Sequence, residues 1–255
     1  MKDKFQALFK RMWERSDKIF GVLTGEGFYT SPIKYRYPFI FYLGHLPAFC
    51  WNQLCDGVLQ WKSLNPDYDL LFERGIDPPV DIDFQPNETE LWPTVEDVIS
   101  YRDKVRASIF DGIEEVDRLS KVTKGDPLIE NGRILHVVLE HELMHHETLL
   151  YMLCQLDFDK KLKPLDLPLP VLGKNAVNSL VRIDGRGVRL GIDFEAVEFG
   201  WDNEFGQQWV DVKSFDIDRY PVSNAEFLQF LQNGGYRDSR FWDADSWQWK
   251  SREKI

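Results

Sequence analysis

The chain has 255 residues, a formal net charge of -11 and a composition that is 43% hydrophobic and 14% aromatic. That is ample apolar material for one or two cores, and an acidic chain without a basic cluster argues against nucleic acid and anionic membranes, leaving small molecules or proteins as partners. The three cysteines, Cys50, Cys55 and Cys154, are too sparse for a disulfide framework, and the longest uncharged apolar run, Tyr37 to Cys55, is interrupted by Gly44, Pro47, Asn52 and Gln53. A reducing, cytoplasmic location with no membrane span is expected.

Residues 3 to 22 read as an amphipathic helix, with Phe5, Leu8, Phe9, Met12, Trp13 and Ile19 among its apolar positions. After a loop from Gly25 to Pro32, the stretch from Pro38 to Trp61 is the second helical candidate. His45 lies in its most apolar part, and Pro47 removes a backbone donor, so a bend just after His45 is expected. Between Asn65 and Pro93 the pattern dissolves into Asp, Pro and Gly around Arg74-Gly75-Ile76-Asp77-Pro78-Pro79, a loop long enough to suggest function or disorder. A third helix opens at Thr94-Val95-Glu96-Asp97, where Thr94 serves as N-cap and Asp97 reaches back to it, and Val98, Tyr101, Val105, Ile109 and Ile113 carry it to about Leu119. The fourth covers the apolar run from Ile134 to Leu156, with Asp126-Pro127 as its expected start. Four long helices make a bundle.

After Lys161 the composition changes. Pro164, Pro168 and Pro170 mark a linker, taken as 166–179, that separates a bundle over 1–165 from a mixed domain over 180–255. Alternating residues at Val181-Arg182-Ile183, Val188-Arg189-Leu190-Gly191-Ile192, Trp209-Val210-Asp211-Val212 and Phe215-Asp216-Ile217-Asp218 read as strands. Ser223-Asn224-Ala225-Glu226 is a capping box opening a short helix that Gly234-Gly235 stops. The fold class is therefore α+β. Ending at Trp247-Gln248-Trp249-Lys250 with no closing element, the second domain reads as incomplete, and a C-terminally truncated chain is expected.

The fourth helix carries the chemistry. Glu140-His141-Glu142-Leu143-Met144-His145-His146-Glu147-Thr148, taken with His136, holds four of the five histidines. Residues four apart on a helix differ by about 40° around the axis, so His141 and His145 point the same way and form the bite of a chelate. His141-Glu142-Leu143-Met144-His145 matches HExxH, in which the glutamate is the general base of a zinc hydrolase. The longer metzincin pattern fails, because its Gly and His positions hold Thr148 and Tyr151. The competing reading draws a third ligand from upstream, where His45 is the one histidine available, leaving open positions for a thiol, dioxygen or water. Imidazoles suit iron and zinc alike. His136 and His146 lie about 140° away around the axis and are expected on partly exposed flanks. Glu142 and Glu147 are placed to accept the outer N–H of a ligand imidazole, and Arg102 is the candidate for pairing with a substrate carboxylate.

Glu140 to Leu153, with its HxxxHxE core at His141, His145 and Glu147, resembles the DinB-like domain of ergothioneine-biosynthesis sulfoxide synthases, especially the fungal type. Phe39-Ile40-Phe41-Tyr42-Leu43-Gly44-His45, Phe72 to Pro78 and Phe199-Gly200-Trp201-Asp202-Asn203-Glu204 are similar to further stretches of that family. Asp218 to Phe227 resembles the opening of a formylglycine-generating-enzyme-type, sulfatase-modifying domain with a C-type-lectin-like fold. The resemblance implies a non-haem iron(II) site at His45, His141 and His145. It also implies oxidative joining of cysteine or γ-glutamylcysteine to the imidazole of hercynine, with O2 consumed and a sulfoxide formed. Met144 stands where bacterial relatives carry a substrate-contacting Gln, and the family's proton-donating Tyr is expected beyond this chain. The alternatives are a DinB-type thiol transferase using zinc at the same histidines and a non-catalytic truncated isoform that binds or regulates.

Overall fold

The structure is a computed structural model of the chain and describes residues 1–33, 36–73, 92–164, 173 and 177–255. The loop motif at Arg74 to Pro79 and most of the proline-rich linker lie outside the described residues. The chain divides into two compact units, 1–167 with 192–206, and 168–191 with 207–255. The architecture is the α+β expected, helical first and then built on small antiparallel sheets. No helix among the described residues is long and apolar enough to cross a membrane.

In the first unit, α1 (Lys2–Phe20), α3 (Phe39–Cys50), α5 (Val95–Leu119) and α6 (Arg133–Gln155) close a bundle, with the short α2 (Gly25–Phe28) and α4 (Pro66–Leu71) between them. Helix α1 packs on α5 and α6, and α3 packs on the same two from the other side. Phe5, Phe9, Ile40, Leu43, Ile109, Ile113, Leu135 and Leu149 fill the interior between them. At about 1.5 to 3 kcal/mol per buried side chain of this size, that core is the main stabiliser of the unit.

The local signals act largely as read. Thr94 caps α5, accepting from the Asp97 backbone N–H at 3.2 Å and donating to the Asp97 carboxylate at 2.7 Å. The start of α6 differs. Asp126 instead closes a separate turn by accepting from the Leu128 N–H at 2.9 Å, and Asn131 and Gly132 then take left-handed φ values of 57° and 67° before α6 begins. The apolar run begins at Ile134, just after this break, so the helix starts with the run rather than at Asp126-Pro127. At Pro47, α3 continues through the proline to Cys50 and then widens into a π-helix over Trp51–Val58, with the Leu59 N–H bonded to the Leu54 carbonyl five residues back.

Helix α4 positions part of the site. Asn65 caps it and Pro66 occupies its first turn, a pairing that suits the residues' conformational preferences. The buried Asp69 accepts from the Tyr101 hydroxyl of α5 at 2.6 Å, pinning α4 to the bundle. That brings Phe72 to Gly44 of α3, where a Cβ would lie 2.5 Å from the Phe72 ring.

Residues 192–206 pack with the bundle. The Arg133 guanidinium lies 3.8 Å from the centre of the Phe194 ring, and His136 stacks on Phe199 at 5.6 Å and 18°. In the second unit β1 (Leu180–Ile183) pairs antiparallel with β4 (Phe215–Asp218), and β2 (Arg186–Leu190) pairs with β3 (Gln208–Val212). The registers run from Leu180 opposite Asp218 and from Arg186 opposite Val212, so the two pairs are nested. The capping box at Ser223 opens α7 (Asn224–Gln232), its N–H bonded to the Glu226 carboxylate at 2.7 Å. The final stretch, without a closing element in the sequence reading, forms α8 (Ala244–Glu253), capped by Asp243.

Because Gly44 has no room for a side chain, Gly44→Ala is expected to displace Phe72 and destabilise the first unit by about 1 to 3 kcal/mol, the usual cost of overpacking. Denaturant unfolding checks this, and an unchanged midpoint would contradict the close packing of Phe72 on α3.

Candidate metal centre

Three histidines meet inside the bundle. His45 from α3 and His141 and His145 from α6 are 4%, 8% and 2% exposed, and one ligand nitrogen from each lies within 4.8 Å of the other two. The Nε2 atoms of His141 and His145 are 3.2 Å apart. Two nitrogens bound at right angles to one cation, each at about 2.1 Å, would be roughly 3 Å apart, so this pair already has the bite of a chelate. The arrangement follows from the helix: spacing four stacks the α6 histidines one turn apart, and α3 packs against that face.

The ring of His45 is oriented by the main chain. Its Nδ1 lies 2.7 Å from the Phe72 carbonyl, which can only accept, so Nδ1 carries the proton and Nε2 keeps its lone pair for a cation. Phe41 stacks on His45 at 5.0 Å and 18°, and Tyr42 tilts against His145 at 5.6 Å. Burial pushes the His45 pKa down, with the bond to Phe72 opposing it. Burial also lowers His141 to about 2 and His145 to about 3, helped by the mutual repulsion of the cationic forms. At neutral pH all three are therefore uncharged donors. Three neutral imidazoles converging out of water suit a divalent transition metal and leave coordination positions for other ligands, so the residues present fit the metal that the sequence implies.

The other site candidates stand elsewhere. Glu142 is buried, but its carboxylate accepts from the Ser16 hydroxyl of α1, one residue and about 100° around α6 from His141. It is thereby drawn away from the role of HExxH base and from that of acceptor for a ligand imidazole. His146 is not on an exposed flank: it is 1% exposed, with Nε2 2.8 Å from Ser16 Oγ. Because the Ser16 proton goes to the carboxylate, that nitrogen is the donor. Burial raises the pKa of Glu142 and lowers that of His146 to about 4. Glu147 and Met144 face solvent, and His136 is half-buried against Phe5 and Phe199. Arg102 donates to Asp17 at 3.2 Å and to Asp103 at 2.9 Å, so a structural ion-pair cluster occupies its guanidinium. Sequence reasoning missed Phe72 and Ser16. Both act across long chain separations that helical periodicity does not register.

Comparison with known proteins agrees with this organisation. Residues 8–149 match the DinB superfamily, and residues 171–255 match the sulfatase-modifying factor enzyme 1-like domain. Over 232 residues the chain is 34% identical to ergothioneine biosynthesis protein 1 of Neurospora crassa, covering 82% of this chain and 25% of that protein. It is 28% identical to the protein of the same name in Schizosaccharomyces pombe, over 82% of this chain and 30% of that one. It is 33% identical to hercynine oxygenase of Mycolicibacterium smegmatis over 52% of this chain and 30% of that protein. The chain thus spans between a quarter and a third of the length of these relatives. It belongs to the DinB superfamily, and its relatives include proteins named for ergothioneine biosynthesis and for hercynine oxygenation.

Two outcomes are expected. His45→Ala removes bound metal as completely as His141→Ala when purified protein is assayed by elemental analysis, whereas full occupancy in the His45 variant would contradict the three-ligand set. Ser16→Ala strands the buried Glu142 carboxyl and lowers stability by about 1 to 3 kcal/mol with metal content unchanged, as measured by thermal unfolding and the same elemental analysis.

Proposed function

We propose that the chain carries the metal centre of a non-haem iron(II), O2-using sulfoxide synthase, acting in ergothioneine biosynthesis on hercynine and either cysteine or γ-glutamylcysteine. The observation that carries this reading is the convergence of His45, His141 and His145 as neutral donors, in a chain whose relatives are named for ergothioneine biosynthesis and hercynine oxygenation. We infer the domain plan to be a metal-binding bundle over 1–165, a linker over 166–179 and part of a sulfatase-modifying-factor-type domain over 180–255.

The net reaction joins the thiol sulfur to the imidazole carbon of hercynine. One S–H and one C–H bond break, a C–S and an S–O bond form, and O2 accepts four electrons, giving the sulfoxide oxygen and one water. Iron bound by the three histidines would supply one-electron chemistry and open positions at which thiolate and O2 meet. The chain's own contribution is positional. The Phe72 carbonyl holds His45 in one tautomer, burial keeps the three rings neutral, and Phe41 and Tyr42 keep water away from their ring faces. HExxH peptidase chemistry finds less support, since Ser16 engages the carboxylate that it would need as base.

The test is oxygen uptake by iron-loaded protein supplied with hercynine and either thiol, with mass spectrometry of the product. Uptake that depends on both substrates and yields their sulfoxide-linked adduct is expected. A flat trace from protein holding one iron per chain would contradict the activity, and thiol transfer by zinc-loaded protein without oxygen use would favour the transferase.

A further inference from the structure

His45 has a hydrogen-bonded outer nitrogen, but the Nδ1 atoms of His141 and His145 are buried and have no hydrogen-bond partner among the described residues. Metal-binding imidazoles ordinarily give that N–H to a carboxylate, a carbonyl or water, which fixes the ring's orientation and strengthens it as a donor. At His141 a different neighbour occupies the ring face. Phe49 lies flat against it, with ring centres 3.5 Å apart and planes 11° from parallel.

Phe49 belongs to a stripe on α3. Phe41, His45 and Phe49 are spaced at i, i+4 and i+8 and so share one side of the helix. Phe41 covers His45 within α3, while Phe49, one turn beyond His45, reaches across to His141 on α6. Two neutral aromatic rings avoid full face-to-face stacking, because their electron-rich faces repel, and prefer edge-to-face or offset contact. The pair becomes favourable once one ring is electron-poor. An imidazole donating its lone pair to a cation is such a ring, and the phenyl face then attracts it as it would a cation.

We propose that Phe49 is a positioning residue of the metal centre: it holds the His141 ring in its ligating orientation and favours the metal-bound form, replacing the hydrogen bond that this ring lacks. The proposal rests on the three-histidine reading of the site. It makes Phe49 part of the site although the side chain offers no donor atom, and it explains why a half-buried Phe lies flat on a histidine rather than edge-on.

The test is cobalt(II) binding by Phe49→Leu and Phe49→Tyr, measured by competition with a chelator and by the visible ligand-field spectrum. Phe49→Leu is expected to bind cobalt about 10-fold or more weakly, the usual effect of losing a group that orients a ligand, with a shifted spectrum and an apo-protein melting transition like the parent's. Phe49→Tyr, which keeps the ring, is expected to retain the parent's affinity and spectrum. If Phe49→Leu does not fold, Phe49→Met makes the same comparison. Parental affinity and spectrum in the ringless variant, with binding abolished in His141→Ala, would overturn the role of Phe49 alone. Parental binding in His141→Ala as well would overturn the three-histidine reading, and the proposal with it.

Discussion

The centre depends first on one hydrogen bond, from His45 Nδ1–H to the carbonyl of Phe72 at 2.7 Å. The bond joins α3 to the end of α4, and it decides which nitrogen of His45 faces the other two imidazoles. Its acceptor is held in place by packing. Asp69 ties α4 to Tyr101 of α5, and the missing side chain at Gly44 lets the Phe72 ring settle on α3. A short, capped helix of six residues therefore orients an imidazole drawn from a different element.

Burial gives the cluster its chemistry at a cost in stability. Taking three imidazoles out of water leaves them neutral and brings two ring nitrogens to 3.2 Å, where one ring can donate to the other or both can turn their lone pairs to a cation. A metal that binds only the folded bundle would repay that cost through mass action, linking stability to metal supply. The second polar cluster, Ser16 with Glu142 and His146, points toward α1, where the Ser16 hydroxyl joins the carboxylate to the His146 Nε2 while the His146 Nδ1 has no partner among the described residues. One helix thus carries two buried polar sets on adjacent faces, the histidine pair against α3 and the carboxylate with His146 against α1.

Much of this was legible in the residues. The spacing of His141 and His145 puts their rings on one helix face, His45 is the one histidine outside that helix, and the caps at Thr94 and Ser223 mark real helix starts. The hidden parts are tertiary. Glu142 looks like a catalytic or supporting carboxylate until Ser16, 126 residues earlier in the chain, is found beside it. Arg102 looks like a carboxylate receptor until Asp17 comes into reach from α1. The break at Asn131-Gly132 escaped because it lies ahead of the apolar run from Ile134, where periodicity sets no helix start and Asp126-Pro127 offers a competing one. Hydrophobic periodicity reports which face is covered and is silent about the residue that covers it.

X-ray absorption on the iron-loaded chain tests the central claim most directly, because its fine structure counts imidazole rings around the metal. Three histidine imidazoles in the first coordination shell is the result predicted here. Two imidazoles completed by a carboxylate or a thiolate, with the ring of His45 absent from the shell, would contradict it.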